Sequence, residues 1–406
     1  MKKRLLSLLC ALALLLCAVP AAFALEGEGQ RAAKTLERLH LISGVPADKA
    51  LKTTATRRQA TDLLVSLYGV TSSDREVSPQ EYAVSKGWVT VTSGQQDPIP
   101  TNEICASLLR QLGYEGFTDE NAAIYARRIG LLTRDYEETL TLGDLYELAR
   151  DVLSFPDAEG VPAAQQLVEA GVCTQAEIQD LFPEELTARQ VADRYMCAVF
   201  SLDTYYSEDH YKKGRIDNGG SGFFISGDGL AVTNCHTISS AIRAEVTLVT
   251  GECFPVERVV FYDQDMDLAL LRVSRTTVDK KTEVPAFAYM ELSKSPDLRP
   301  GDRVYTLGVP LGITLAISDG IVSAVNHTTK EFSSPCILNT ADISHGSSGG
   351  ALVNTKGHVV GVTTGAYEGG NNLYISIPLD AIQKADWNAE GITLEEVLKE
   401  MLEREQ

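Results

Sequence analysis

Two kinds of hydrophobic spacing divide the chain near residue 195. Beyond it, short apolar segments alternate with Gly, Asp and Asn turns: 197–202, 222–226, 230–233, 244–249, 258–262, 268–273, 303–307, 320–324, 336–339, 351–353, 358–364 and 372–377. Many short strands with no regular helices between them predict an all-β barrel or sandwich. Before 195 glycine is scarce and helix-forming segments recur. Segments 33–42, 81–89, 124–132 and 166–173 each read as a short helix ended by glycine, or by His40 in the first copy. His40, Gly87, Gly130 and Gly171 lie 47, 43 and 41 residues apart, and a near-fixed period of that size marks repeats. A threonine follows each copy (Thr56, Thr101, Thr141, Thr187) and is expected to open a second helix, because its hydroxyl accepts a bond from a first-turn amide. The predicted unit is helix, loop, helix.

At the carboxyl end Thr393-Leu394-Glu395-Glu396 reads as a capping box. Val397, Leu398, Met401 and Leu402 fall on one face of the helix it opens, a face expected to pack on a barrel. The expected domains are a signal peptide (1–24), a helical repeat domain (25–195), a β domain (196–385) and a terminal amphipathic helix (386–406).

The signal peptide follows from Lys2, Lys3 and Arg4, an apolar run over 5–19, and Ala22-Phe23-Ala24 as a small-x-small cleavage site. That run is short for a bilayer span, so export is expected rather than an uncleaved anchor. The chain has 406 residues, 44% hydrophobic and 22% charged, which is enough for two globular domains. Its net charge of -19 argues against nucleic acid and anionic lipid as partners. Cleavage would leave Cys105, Cys173, Cys197, Cys235, Cys253 and Cys336, whose spacings make no compact framework; mostly free, buried thiols are expected. The 6 histidines are scattered and no segment has metal-ligand spacing, so neither metal nor cofactor is expected.

Candidate chemistry sits in Ala-Asp-Ile-Ser-His-Gly-Ser-Ser-Gly-Gly-Ala-Leu (341–352), a serine in a glycine-rich turn between strand-like stretches. Its glycines permit backbone angles that could converge amide hydrogens on one point, as an oxyanion requires. Upstream stand Thr233-Asn234-Cys235-His236 and Asp267-Leu-Ala-Leu-Leu-Arg-Val. In chain order His236, Asp267 and Ser348 supply a base, an orienting carboxylate and a nucleophile. Asp263, Asp265 and Asp267 share one side of an extended chain, so periodicity does not choose among them.

Six stretches together (220–226, 233–237, Asp263 with 267–271, 307–312, 320–324 and 346–352) resemble the HtrA branch of the trypsin-like serine proteases, in that family's order. The resemblance implies a trypsin-like double β-barrel with the active site between the barrels. It selects Asp267, which directly precedes Leu-Ala-Leu-Leu. It assigns the oxyanion hole to the amides of Gly346, Ser347 and Ser348, and substrate-backbone pairing to Val362, Thr363 and Thr364. The implied function is a secreted serine endopeptidase acting on proteins or peptides. The rival is a catalytically idle surface or chaperone-like binding protein that uses the fold as a scaffold.

Ser347 stands where digestive proteases carry an aspartate, so activation by a new amino terminus is not expected. Asp342 occupies the base of trypsin's specificity pocket and would favour Lys or Arg before the scissile bond, since a buried carboxylate needs a cation. The HtrA pattern has instead Asp342 outward and Ile343 lining an apolar pocket. HtrA proteins usually continue into a PDZ domain; here only the terminal helix is expected after Pro378.

The helical repeats resemble the S-layer homology repeats of bacterial surface proteins, whose second helix opens Thr-Arg-Ala-Glu. Only Thr56-Arg57 keeps the Thr-Arg pair, and the likeness implies cell-wall polysaccharide binding through Arg57. The alternative is a structural helical module, a spacer or partner-binding platform.

Overall fold

The computed structural model describes residues 26–70, 77–293, 298–329, 332, 335–367 and 372–404. The expected signal peptide lies outside these residues.

The amino-terminal half is helical: α1 (Glu28–Arg38), α2 (Asp48–Leu51), α3 (Arg57–Leu67), α4 (Pro79–Ser85), α5 (Thr101–Gln111), α6 (Ala122–Arg128), α7 (Leu142–Ser154), α8 (Ala163–Glu169) and α9 (Ala188–Tyr195). The turn ending each first helix is left-handed, at His40 (φ 61°), Gly87 (73°), Gly130 (85°) and Gly171 (74°), a backbone that glycine adopts without steric cost. Three of the helix-loop-helix segments meet at a closed ring of backbone hydrogen bonds. Ala55 N–H donates to Leu140 O (2.9 Å), Leu140 N–H to Ile99 O (3.4 Å), and Ile99 N–H to Ala55 O (2.9 Å). All three residues are buried, so the ring satisfies amides that would otherwise be left dry.

The ring sets the register of the second helices. Thr56, Thr141 and Thr187 each close a capping box, with Gln59, Asp144 and Gln190 respectively. The expectation for Thr101 does not hold. In ring register the residue after Ile99 is Pro100, which is the N-cap, and Thr101 is the first helical residue. Its hydroxyl donates instead to Glu137 O (2.6 Å). The expected boundary at 195 also moves. The helical core runs from Leu36 to Ile178, whereas Leu186 and Val191 belong to the core of the β half. Leu186 is gripped there by the Tyr305 hydroxyl on its carbonyl (2.9 Å) and by Thr355 O on its amide (2.6 Å), so α9 is packed on the β half.

Twelve strands are described in the second half: β1 (Val199–Tyr205), β2 (Asn218–Phe224), β3 (Leu230–Thr233), β4 (Arg243–Thr247), β5 (Cys253–Asp263), β6 (Leu268–Val273), β7 (Arg303–Gly308), β8 (Ala316–His327), β9 (Cys336–Asn339), β10 (Ala351–Asn354), β11 (Val359–Ala366) and β12 (Tyr374–Pro378). They close into two six-stranded antiparallel barrels, β1-β2-β3-β6-β5-β4 and β10-β11-β12-β9-β8-β7. Both have the same winding, with each strand paired to two neighbours over part of its length. Alternation sends Phe200, Leu202, Phe224, Phe254 and Leu271 into the first barrel, while Phe223, Val232 and Leu270 turn out to join Tyr305 and Leu307 of the second. Short helices α10 (Glu208–Lys212), α11 (Cys235–Ile238) and α12 (Asp380–Lys384) lie in the connections.

The terminal helix α13 (Leu394–Arg404) is opened by the Thr393–Glu396 box and buries Leu394, Val397 and Met401 on the first barrel. Leu402, expected on that face, is exposed. The helical half is tied to the first barrel by Arg128 of α6, whose guanidinium makes paired bonds to Glu252 (2.8 and 2.6 Å). Cys105, Cys173, Cys197, Cys235 and Cys253 are free thiols, and of the six described cysteines only Cys253 is not buried. Burial pushes the Cys235 thiol, next to His236, up to about 12, which fits packing rather than chemistry.

Candidate active site

Segment 264–267 is a turn rather than an extended strand, so the three neighbouring carboxylates separate. Asp263 accepts the Met266 amide (2.9 Å) and closes the turn, while Asp265 is exposed. Asp267 has φ 56°, a left-handed backbone that aspartate tolerates better than most residues. The buried side chain of Asn234 holds this backbone by donating to Asp267 O (2.8 Å). The carboxylate is thereby turned under His236. It accepts the His236 amide at Oδ1 (2.9 Å) and faces His236 Nδ1 at 3.0 and 2.8 Å. A third donor, the Thr364 hydroxyl from the second barrel, reaches Oδ2 at 2.5 Å. Asp267 is nearly buried, whereas the His236 side chain is 49% exposed, so the imidazole is anchored at one nitrogen and open to solvent.

Ser348 belongs to the loop before β10. Its hydroxyl donates to Thr364 O (3.1 Å), and Thr364 thus touches both Ser348 and the Asp267 carboxylate. The four residues before it form a type II turn. Ser347 N–H donates to Ser344 O (2.9 Å), and Gly346 at the third position has φ 88°. A side chain at 346 would also stand 2.6 Å from Val309 O, so both backbone angle and space demand glycine. The bond closing the turn occupies the Ser347 amide, which removes Ser347 from the expected oxyanion set. Among the described residues, the Gly346 and Ser348 amides donate to no protein acceptor. His345 O accepts the Leu311 amide (2.5 Å); since N–H and C=O of a trans peptide point opposite ways, Gly346 N–H is aimed away from Leu311.

The residues expected to pair with substrate divide. Val362 is paired on both sides, with Ala351 of β10 and Ile377 of β12. Thr363 is occupied too, its amide bonded to Gly350 O and its carbonyl to the Gly349 amide (both 2.9 Å). The β10 partner ends there, and beyond it Gly365 and Ala366 pair only with β12. The open backbone edge is therefore 364–366. It lies further along than expected because the nucleophile loop itself uses the earlier positions.

Asp342 is exposed and its carboxylate accepts the Tyr374 hydroxyl, which raises the Tyr374 pKa. The buried carboxylate that a Lys or Arg preference needs is not formed. Asp342 and half-buried Ile343 line a cavity of about 120 Å³ together with Thr306, Ala316, Ser318 and Ser347. Arg57, at the start of α3, donates to both carboxylate oxygens of Glu103 (2.8 and 2.9 Å), and this pairing raises its pKa. Its side chain is 18% exposed.

Asn234 lies inside a motif legible in the sequence, but its role depends on the left-handed turn at Asp267, which no spacing announces. Thr364 was expected at the substrate edge; its contact with Asp267 links residues 97 apart across two barrels.

Residues 220–362 match the trypsin-like peptidase domain. The chain is 31% identical over 199 residues to serine protease HTRA1A of Danio rerio, covering 48% of this chain and 39% of the relative. It is 32% identical over 179 residues to the putative serine protease HhoB of Synechocystis (43% and 41% covered), and 35% identical over 170 residues to serine protease HTRA4 of Mus musculus (41% and 33%). The chain thus spans less than half the length of these relatives. The double barrel of its carboxyl-terminal half is similar to the trypsin-like peptidase domain over residues 220–362. Within that class it is similar to the HtrA serine proteases.

Proposed function

We propose that this chain is an exported serine endopeptidase that cleaves peptide bonds in proteins. The observation that carries the reading is the contact of His236 Nδ1 with the buried Asp267 carboxylate, bridged through Thr364 to Ser348. A serine hydroxyl is a weak nucleophile near neutral pH, so His236 takes its proton during attack through the exposed Nε2. Asp267 holds the tautomer with the proton on Nδ1 and stabilises the imidazolium that forms. The Gly346 and Ser348 amides receive the oxyanion, and such donors contribute about 3 to 4 kcal/mol each in comparable sites. Substrate backbone adds along 364–366, the open edge. Export is supported by the basic, apolar and small-residue pattern of residues 1–24.

One observation favours the rival reading of a catalytically idle binding protein. The Ser348 proton is directed at Thr364 O, so attack requires the hydroxyl to leave that bond for His236. A change of χ1 between staggered wells is a small barrier, which keeps catalysis ahead. For the helical half we favour a fixed platform over wall binding, because the Arg57 guanidinium is already engaged by Glu103.

A fluorophosphonate probe decides between the two. The wild type should be labelled and should degrade casein, and Ser348→Ala should do neither. An unlabelled, well-folded wild type would leave the scaffold reading standing.

A further inference from the structure

We propose that Ser221 is a positioning residue for the oxyanion turn, acting across the barrel interface; this rests on the endopeptidase reading above. Ser221 lies on β2 of the first barrel and is completely buried, so every polar atom it carries must find a partner or weaken the fold. All do, and most of those partners belong to the second barrel. Its amide donates to Ser348 O (2.8 Å). Its hydroxyl donates to Gly346 O (2.6 Å) and accepts the Val309 amide (2.8 Å). Its carbonyl accepts the Thr233 hydroxyl (2.8 Å), two residues after which the His236 helix begins.

The chemistry selects serine. The position needs one small group that both gives and takes a hydrogen bond, which a hydroxyl does and a methyl or thiol does poorly. The space is confined: a side-chain carbon at Gly308 would come within 3.1 Å of the Ser221 hydroxyl.

The consequence falls on Gly346. Glycine has the least intrinsic preference for any one backbone angle, so the direction of its amide must be imposed from outside. Two tethers impose it. Leu311 N–H fixes the carbonyl of the peptide before Gly346, and the Ser221 hydroxyl fixes the carbonyl of the peptide after it. The same hydroxyl joins the turn to Val309, two residues before Leu311, so both tethers belong to one assembly. Without the hydroxyl, the peptide after Gly346 loses its tether and the Val309–Leu311 segment loses its link to the turn, so the Leu311 bond alone resists relaxation from type II to type I. That change reverses the central peptide and takes the Gly346 amide off the position where the oxyanion develops. An interaction made only with the transition state would be lost, so turnover should fall while substrate affinity stays.

The test compares Ser221→Ala, which keeps the backbone bond to Ser348, with the wild type on fluorogenic casein and on a peptide boronic acid, whose tetrahedral adduct uses the oxyanion site. We expect kcat to fall roughly 10- to 100-fold, less than complete loss of a donor. KM should stay within about two-fold, and boronate affinity should fall in parallel with kcat. Thermal melting confirms that the variant is folded; if it is not, Ser221→Cys, a weaker donor of nearly the same shape, is measured in its place. Unchanged kcat and boronate affinity, or a loss carried by KM alone, overturns the proposal while leaving the protease reading intact. A folded wild type that neither cleaves casein nor binds the boronate overturns both.

Discussion

Asp267 gathers three donors from three directions: the His236 amide, the His236 ring and the Thr364 hydroxyl. In the proposed reaction its role is therefore orientation as much as charge. Asp267→Asn keeps the shape but presents an amide, and an amide hydrogen facing Nδ1 drives the imidazole into the wrong tautomer. We expect kcat to drop by about 10⁴-fold with the fold preserved. Steady-state kinetics beside a thermal melt will measure this, and a loss under ten-fold would mean that the carboxylate does not orient the base. Chain order and motif context single out His236 and Ser348 as candidates, because each is embedded in residues whose types betray the local backbone. The choice among Asp263, Asp265 and Asp267 was not legible from alternation, since alternation presumes an extended chain and the segment turns. Ser347, Val362 and Thr363 were misread for one shared reason. Their main-chain groups are consumed within the nucleophile loop and its pairing to β11, a cost that residue type does not reveal.

At the level of elements, the strands were visible because barrel strands are apolar on at least one face over their whole length. The exceptions were the early parts of β2, β5 and β8, where 218–221 is glycine-rich, Pro255 and Glu257 interrupt the apolar run, and Ser318 and Asp319 do the same. The left-handed turns at His40, Gly87, Gly130 and Gly171 were visible through their spacing and residue types. What escaped was the register of the second helices, fixed by the ring of Ala55, Ile99 and Leu140, a tertiary contact with no local signature. The difference is measurable. Thr56→Ala and Thr141→Ala each remove a capping hydroxyl and should cost about 1 kcal/mol in urea unfolding. Thr101→Ala removes no cap, so α5 should keep its amide protection in hydrogen exchange while the first turns of α3 and α7 lose theirs in the other two variants. Equal loss of protection in all three would contradict the ring register.

At the scale of the whole molecule, the helical half and the first barrel are joined by contacts between residues far apart in sequence. Arg128 and Glu252 are 124 residues apart, and their side chains are only 4% and 15% exposed. Two parallel hydrogen bonds and the Tyr125 ring beside the guanidinium complete the site. Removing one partner leaves the other charge stranded in a dry interface, which is costlier than the pair itself is favourable. Arg128→Ala should therefore lower stability by about 3 to 5 kcal/mol. The double change Arg128→Met with Glu252→Leu should recover most of that loss, because apolar groups of similar volume need no partner there. Calorimetry also reads the architecture. If the helical half and the barrels unfold as one unit, Arg128→Ala shifts a single transition downward. If the single variant splits the melt into two transitions with the barrel peak unmoved, the halves are independent, and the helical half lends the barrels no stability.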